Sequence, residues 1–174
     1  MSVYWAPLEE VTLIVQLLLC APPGQFADAR KSGADLTKTV RFKDLERFPM
    51  ILPAGEHGLR ALIDGYLRAH QVALCVLAEV NAIPQLINLA AAGVGCTILS
   101  YASVCEELHN GLLSAARITH PSMSRPVYLC RSATMPLSIA VSAVLDLLME
   151  TVRALIAGGQ WPARVKRMKT TGWI

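Results

Sequence analysis

Apolar residues along this chain fall into short blocks that alternate between strand-like runs and helical stripes. The first block is Val11–Ala21, V-T-L-I-V-Q-L-L-L-C-A; its β-branched half predicts a strand, and its leucine-rich half fits a strand or a turn of buried helix equally well. From Gly24 to Thr39 the pattern dissolves into Gly, Ala, Asp, Lys, Ser and Thr, which reads as a surface loop. A short helical turn around Asp44 and Leu45 and a strand over Met50–Leu52 follow. Leu59, Leu62, Ile63, Tyr66 and Leu67 then recur at the spacing of one buried helical face, ending at His70 and Gln71.

The stretch Glu79–Ser100 organises the rest. A strand over Ala73–Val80 passes through Asn81 into apolar positions at Ile83, Leu86, Ile87 and Ala90. Asn81 is the expected N-cap, with Pro84 in the first turn, where a missing N–H matters little. Gly93 and Gly95 stop this helix, and Cys96–Leu99 forms the next strand. Two strand–helix–strand units therefore share a middle strand. Right-handed crossovers put the loops Pro53–Gly58 and Val80–Ile83 on one edge of the sheet.

Further along, a helix carries Tyr101, Val104, Cys105 and Leu108 and ends at Asn110-Gly111, and Leu112–Ile118 suits a strand. His120–Pro126 holds two prolines and reads as an extended connection rather than an element interior. Val127–Cys130 is a strand. Ser138 caps a long helix with Ile139, Val144, Leu145, Leu148, Val152, Leu155 and Ile156, which Gly158-Gly159 ends. Gln160–Ile174 shows no periodicity and reads as a mobile tail.

At 174 residues the chain can bury a full core, and its 53% hydrophobic content fits strands covered on both faces. A net charge of +3 gives no case for nucleic acid, and four basic residues, Arg164, Lys166, Arg167 and Lys169, sit together in the tail. The five cysteines are odd in number and mostly lie inside apolar runs, as small buried hydrophobes in a reducing compartment would. Val11–Ala21 falls short of the roughly 20 residues a bilayer requires. These features predict a cytoplasmic α/β protein without membrane contact.

Four stretches, F-K-D-L-E-R-F-P-M-I-L-P with G-E-H-G-L-R, A-E-V-N-A-I-P, A-A-G-V-G-C-T-I-L-S and R-P-V-Y-L-C-R-S-A-T-M-P-L-S, together resemble the effector-binding domain of LysR-type transcriptional regulators, in register from about Ala6 to Ala157. A-R-I-T-H-P-S-M-S-R-P, Ala116–Pro126, is most similar to the nitrogen-assimilation-control branch. The resemblance implies a periplasmic-binding-protein-like (type 2) α/β fold of two lobes with a small-molecule effector in the cleft. It assigns residues 1–36 to a partial first lobe, 37–124 to a complete second lobe, 125–157 to the return into the first lobe and 158–174 to a basic tail. It also implies a chain that begins after the family's helix-turn-helix, linker helix and opening lobe elements, near the L-x-E-E position at Leu8. Ser100 stands where the family usually has proline.

For chemistry, the loop Pro53, Ala54, Gly55, His57 and Gly58 and the junction Asn81, Ala82 and Ile83 are the expected effector contacts, because helix N-termini at a strand edge favour small polar or anionic metabolites. Plain capping and loop solvation is the competing reading of His57 and Asn81. Cys105 and His109 stand four apart on one helix, a possible pair of metal ligands, but an inward cysteine beside a solvated histidine explains them more simply. G-x-S-x-G, phosphate-loop and zinc-ligand patterns are missing from the sequence, so no catalytic residue, metal or cofactor is assigned. The expected function is a ligand-sensing domain that does not bind DNA specifically by itself and self-associates through uncovered strand edges and apolar faces. A small intracellular α/β enzyme or a stand-alone binding protein is the alternative.

Overall fold

The computed structural model describes residues 5–26, 36–55, 57–132 and 138–166. They form two compact units, one of residues 1–15 with 126–174 and one of residues 16–125. Residues 16–26 and 36 fall in the larger unit. The cause is strand pairing: Leu17–Ala21 are hydrogen-bonded into that unit's sheet.

In the larger unit, the C-terminal half of β1 (Trp5–Ala21) is flanked by β5 (Thr97–Ser100) and β6 (Ser114–Thr119), both antiparallel to it, with β2 (Thr39–Arg41) parallel to β6. The leucine-rich run is therefore strand throughout. Beside β5 stands the parallel pair β3 (Pro49–Pro53) and β4 (Cys75–Val80), joined to it where Ile51 N donates to Cys96 O and Cys96 N to Pro49 O, each at 2.7 Å. Gly95 permits that approach. A Cβ there would meet Pro49 O at 2.9 Å.

Helices cover both faces. Alternation along the strands sends Leu17, Leu19, Met50, Leu52 and Ile98 into one core with Ile63 of α1 (Gly58–His70). Leu18, Cys20, Ile51 and Leu99 enter a second core with Leu86, Ile87 and Ala90 of α2 (Ile83–Ala91) and with Tyr101, Val104 and Leu108 of α3 (Tyr101–His109). This is why strands here read as unbroken apolar runs. Gln71 closes α1 in the left-handed conformation, and Gly93 follows α2 with a φ of +80°.

The smaller unit holds the other half of β1, β7 (Ser124–Ser132) from Pro126 onward, α4 (Ile139–Ala157) and β8 (Ala163–Lys166). Ser138 caps α4 through its Oγ, which accepts from Val141 N at 3.2 Å. Three expectations change. Pro126 lies inside β7, which a proline tolerates where its missing N–H would face away from a partner. Residues 163–166, expected in an irregular tail, pair antiparallel with Thr12–Val15; residues 167–174 lie outside the described region. Ile139, Val144 and Leu148 of α4 are exposed rather than core.

Of the cysteines, Cys20 and Cys96 are buried as expected, Cys105 is half-buried, and Cys75 is exposed at the edge strand β4. Burial pushes the Cys20 thiol up to about 12, which keeps it neutral. No helix among the described residues is long and apolar enough to cross a membrane.

Candidate functional site

The parallel pairing of β3 with β4 sets Pro53 opposite Val80, so the loops that follow the two strands leave the sheet side by side. Ala54 N donates to Val80 O at 3.2 Å, and His57 N closes a turn onto Ala54 O at 3.0 Å. The His57 ring then bridges the loops, Nε2–H donating to Asn81 O at 2.7 Å. That bond assigns the proton to Nε2. Pro53, Ala54, Gly55, His57, Gly58, Asn81, Ala82 and Ile83 thus form one contiguous rim, with Pro53 buried beneath it and His57, Asn81 and Ile83 exposed.

Arg60 fixes the rim from below. Its guanidinium donates to Pro53 O at 3.1 Å, Asp64 Oδ1 at 2.9 Å and Glu79 Oε1 at 2.6 Å, tying α1 to the ends of β3 and β4. At 16% side-chain exposure it is the best shielded partner in these ion pairs, and the Glu79 and Asp64 bonds hold it firmly charged. With both carboxylates engaged, Arg60 offers the rim no spare charge.

Asn81 is not the N-cap. Ala82 occupies that position, and Gln85 N and Leu86 N donate to its carbonyl at 3.1 and 3.2 Å. A cap at Asn81 would place Pro84 third in the helix and remove an N–H that the cap side chain would accept from. What Asn81 supplies is its backbone oxygen, to His57.

The sequence reading missed the third member of the edge. From β3 the chain moves to β4 on one side and then to β5 on the other, so β3 and β5 flank the reversal of strand order, where α/β sheets open a crevice at the carboxyl ends. There α3 begins after Ser100, whose Oγ lies 2.8 Å from Ser103 Oγ. Beside it burial raises the Tyr101 phenol, keeping it protonated. The S-Y-A-S run between a strand and a helix was the available signal.

Three helices therefore start on one edge. None of their N-cap residues, His57, Ala82 and Ser100, makes a side-chain cap, and none of α1, α2 and α3 carries an acid in its first turn. First-turn N–H groups left in that state can donate to an anion or a polar oxygen, and each N-terminus carries roughly half a positive charge. The arrangement can bind a small oxygen-rich molecule; among the described residues it presents no nucleophile–base pair. Cys105 and His109 do not join it: the cysteine Sγ lies 3.8 Å from Ala102 O and His109 is exposed.

The regulatory domain of Synechocystis CcmR in complex with 2-PG superposes with a TM-score of 0.63 at 19% identity, over 87% of this chain and 67% of that one. The effector-binding domain of QuiR in complex with shikimate gives 0.60 at 17%, over 83% and 62%. The HTH-type transcriptional regulator BbuR of Bordetella bronchiseptica is 27% identical over 120 residues, which is 69% of this chain and 37% of that protein, so the chain spans well under half the length of this relative. The LysR substrate binding domain model matches residues 10–153. The fold is that of the periplasmic-binding-protein-like effector domains, and the chain belongs to the LysR substrate-binding domain family.

Proposed function

We propose that this chain is the ligand-sensing domain of a transcriptional regulator and that a small polar or anionic metabolite binds at the carboxyl edge of β3, β4 and β5. The observation that carries the reading is the set of three helix N-termini without side-chain caps or first-turn acids on that edge. Pro53, Ala54, Gly55, His57 and Gly58 supply one wall and Asn81, Ala82 and Ile83 the second; Ser100 and Ser103 are added as the third. The shikimate and 2-PG complexes of the structural relatives support the ligand class. The A-R-I-T-H-P-S-M-S-R-P run supports placement in the nitrogen-assimilation-control branch, and with it a role in the cytoplasm. We assign residues 37–124 to a complete lobe and 1–36 with 125–157 to a partial one, as the family resemblance implies. By this reading the chain senses rather than catalyses and does not read DNA sequence by itself.

A carboxylate built into the edge tests the proposal. Ser103→Asp puts a negative charge in the first turn of α3, which should stabilise the fold by about 0.3–1 kcal/mol while excluding anions. Calorimetric titration with shikimate, succinate and inorganic phosphate should show saturable heat for at least one in the wild type and none in Ser103→Asp. Binding unchanged in the folded variant, or no binding of any of the three, would remove the reading.

A further inference from the structure

The helix α1 runs from the functional edge to the point where the chain leaves the larger unit. At its start the His57 ring bonds Asn81 O at 2.7 Å, and Arg60 holds Pro53 O, Asp64 and Glu79. Further along the helix, the Tyr66 hydroxyl accepts from Ser124 N at 3.4 Å. Ser124 stands just before Pro126, where the chain passes into the smaller unit. Its neighbour Met123 is fully buried, and the Met123 carbonyl accepts from Leu17 N at 2.9 Å. Packing therefore anchors Met123, and the phenol fastens the residue after it. The Tyr66 ring is itself held, stacked on His70 at 6.4 Å between centroids and tilted against Phe42 at 6.1 Å.

Ile63 is the buried residue of α1, and Arg60 and Tyr66 lie three positions to either side of it, about 4.5 Å each way along the axis. A tilt of the helix about Ile63 that moves Arg60 therefore moves Tyr66 by a comparable amount. At 3.4 Å the Ser124 bond stands at the limit of hydrogen-bond length, and a further shift of roughly a few tenths of an ångström ends it. We propose that α1 is a lever built into the fold: the state of the rim around His57 and Arg60 sets whether Tyr66 holds Ser124. Tyr66 is then a positioning residue for the strand that leaves the unit. This output serves the sensing role proposed above, but the coupling is tested without a ligand, so either can fail alone.

Amide exchange in the intact chain measures this coupling through a double-mutant cycle of Arg60→Leu and Tyr66→Phe. It is read at Ser124 and, as the control for global opening, at Leu19 and Ile98 in the core. Tyr66→Phe keeps the ring and removes the acceptor, so Ser124 exchange should rise about threefold, the low end of one hydrogen bond's worth because this one is long. Arg60→Leu should raise it at least about twofold in the wild type and leave it unchanged in Tyr66→Phe. If Arg60→Leu fails to fold, His57→Ala, which removes the bridge to Asn81, takes its place in the cycle. Equal effects of the rim variant with and without the Tyr66 hydroxyl overturn the proposal. So does an unchanged Ser124 rate in Tyr66→Phe, or one that rises only in step with Leu19 and Ile98.

Discussion

The two units differ in how their apolar side chains are covered. In residues 16–125 the sheet is sandwiched: Leu17, Leu19 and Ile98 point to α1, Leu18, Ile51 and Leu99 to α2 and α3, and all are buried. In the smaller unit α4 carries comparable residues, yet every position along it is half-exposed or exposed, with Ile139 at 92% and Val144 and Leu147 at 64%. Composition is similar and environment is not. A helix covered on one side can bury only one stripe, so the remaining apolar positions stay in water and add little to stability.

The strongest test of this contrast is a pair of truncations. Leu99→Ala should destabilise the protein by about 3 kcal/mol through the cavity left between β5 and α2. Leu147→Ala should stay within about 0.5 kcal/mol. Equal losses in denaturant unfolding would show that the α4 face is covered. The same face should drive self-association. Val144→Glu with Leu147→Glu should shift light scattering toward monomers at roughly tens of micromolar, a range where bare apolar surfaces associate. Unchanged scattering would place any contact elsewhere.

Next comes the tie beneath the functional edge. Arg60→Leu should cost about 1–2 kcal/mol, since it strands Glu79 and Asp64 and frees Pro53 O, with the Glu79 share discounted for its exposure. A thermal melt paired with amide exchange at Ala54 and His57 would show whether the loss is local to the rim.

Alkaline pH separates the core from the surface in another way. Cys20 titrates near 12 when folded and near 9 when exposed, so its burial stabilises the fold fully below about pH 9, and that stability drains away as pH rises toward 12. The loss should be about 1.4 kcal/mol one pH unit above the unfolded value. Cys20→Ala should flatten that slope; the exposed Cys75→Ala should leave it. The smallest effect is expected at Asn81→Leu, within about 0.5 kcal/mol, because the residue contributes its carbonyl and not a cap. A loss near 1 kcal/mol would restore the capping role.

Local chemistry was legible where one residue and its immediate neighbours decide the outcome. Ser138 before an apolar run marked the start of α4, Gly158-Gly159 its end, and the spacing from Leu59 to Leu67 the inward face of α1. At Asn81 two local signals competed, and Pro84 decided the start of the helix one residue later. The rim pairing of Pro53 with Val80 followed from the crossover rule, because handedness and short connections leave few alternatives.

Pairing across long separations was not legible. Nothing near residues 163–166 announces that Thr12–Val15 will accept them, and nothing near Ser100 says that β5 will lie against β3 and bring α3 to the edge. Nor does the apolar stripe of α4 reveal how much of it will be covered. Periodicity states which face a segment would bury and terminal residues state where it stops; which surfaces meet depends on the packing of distant segments, and that depends on the whole fold.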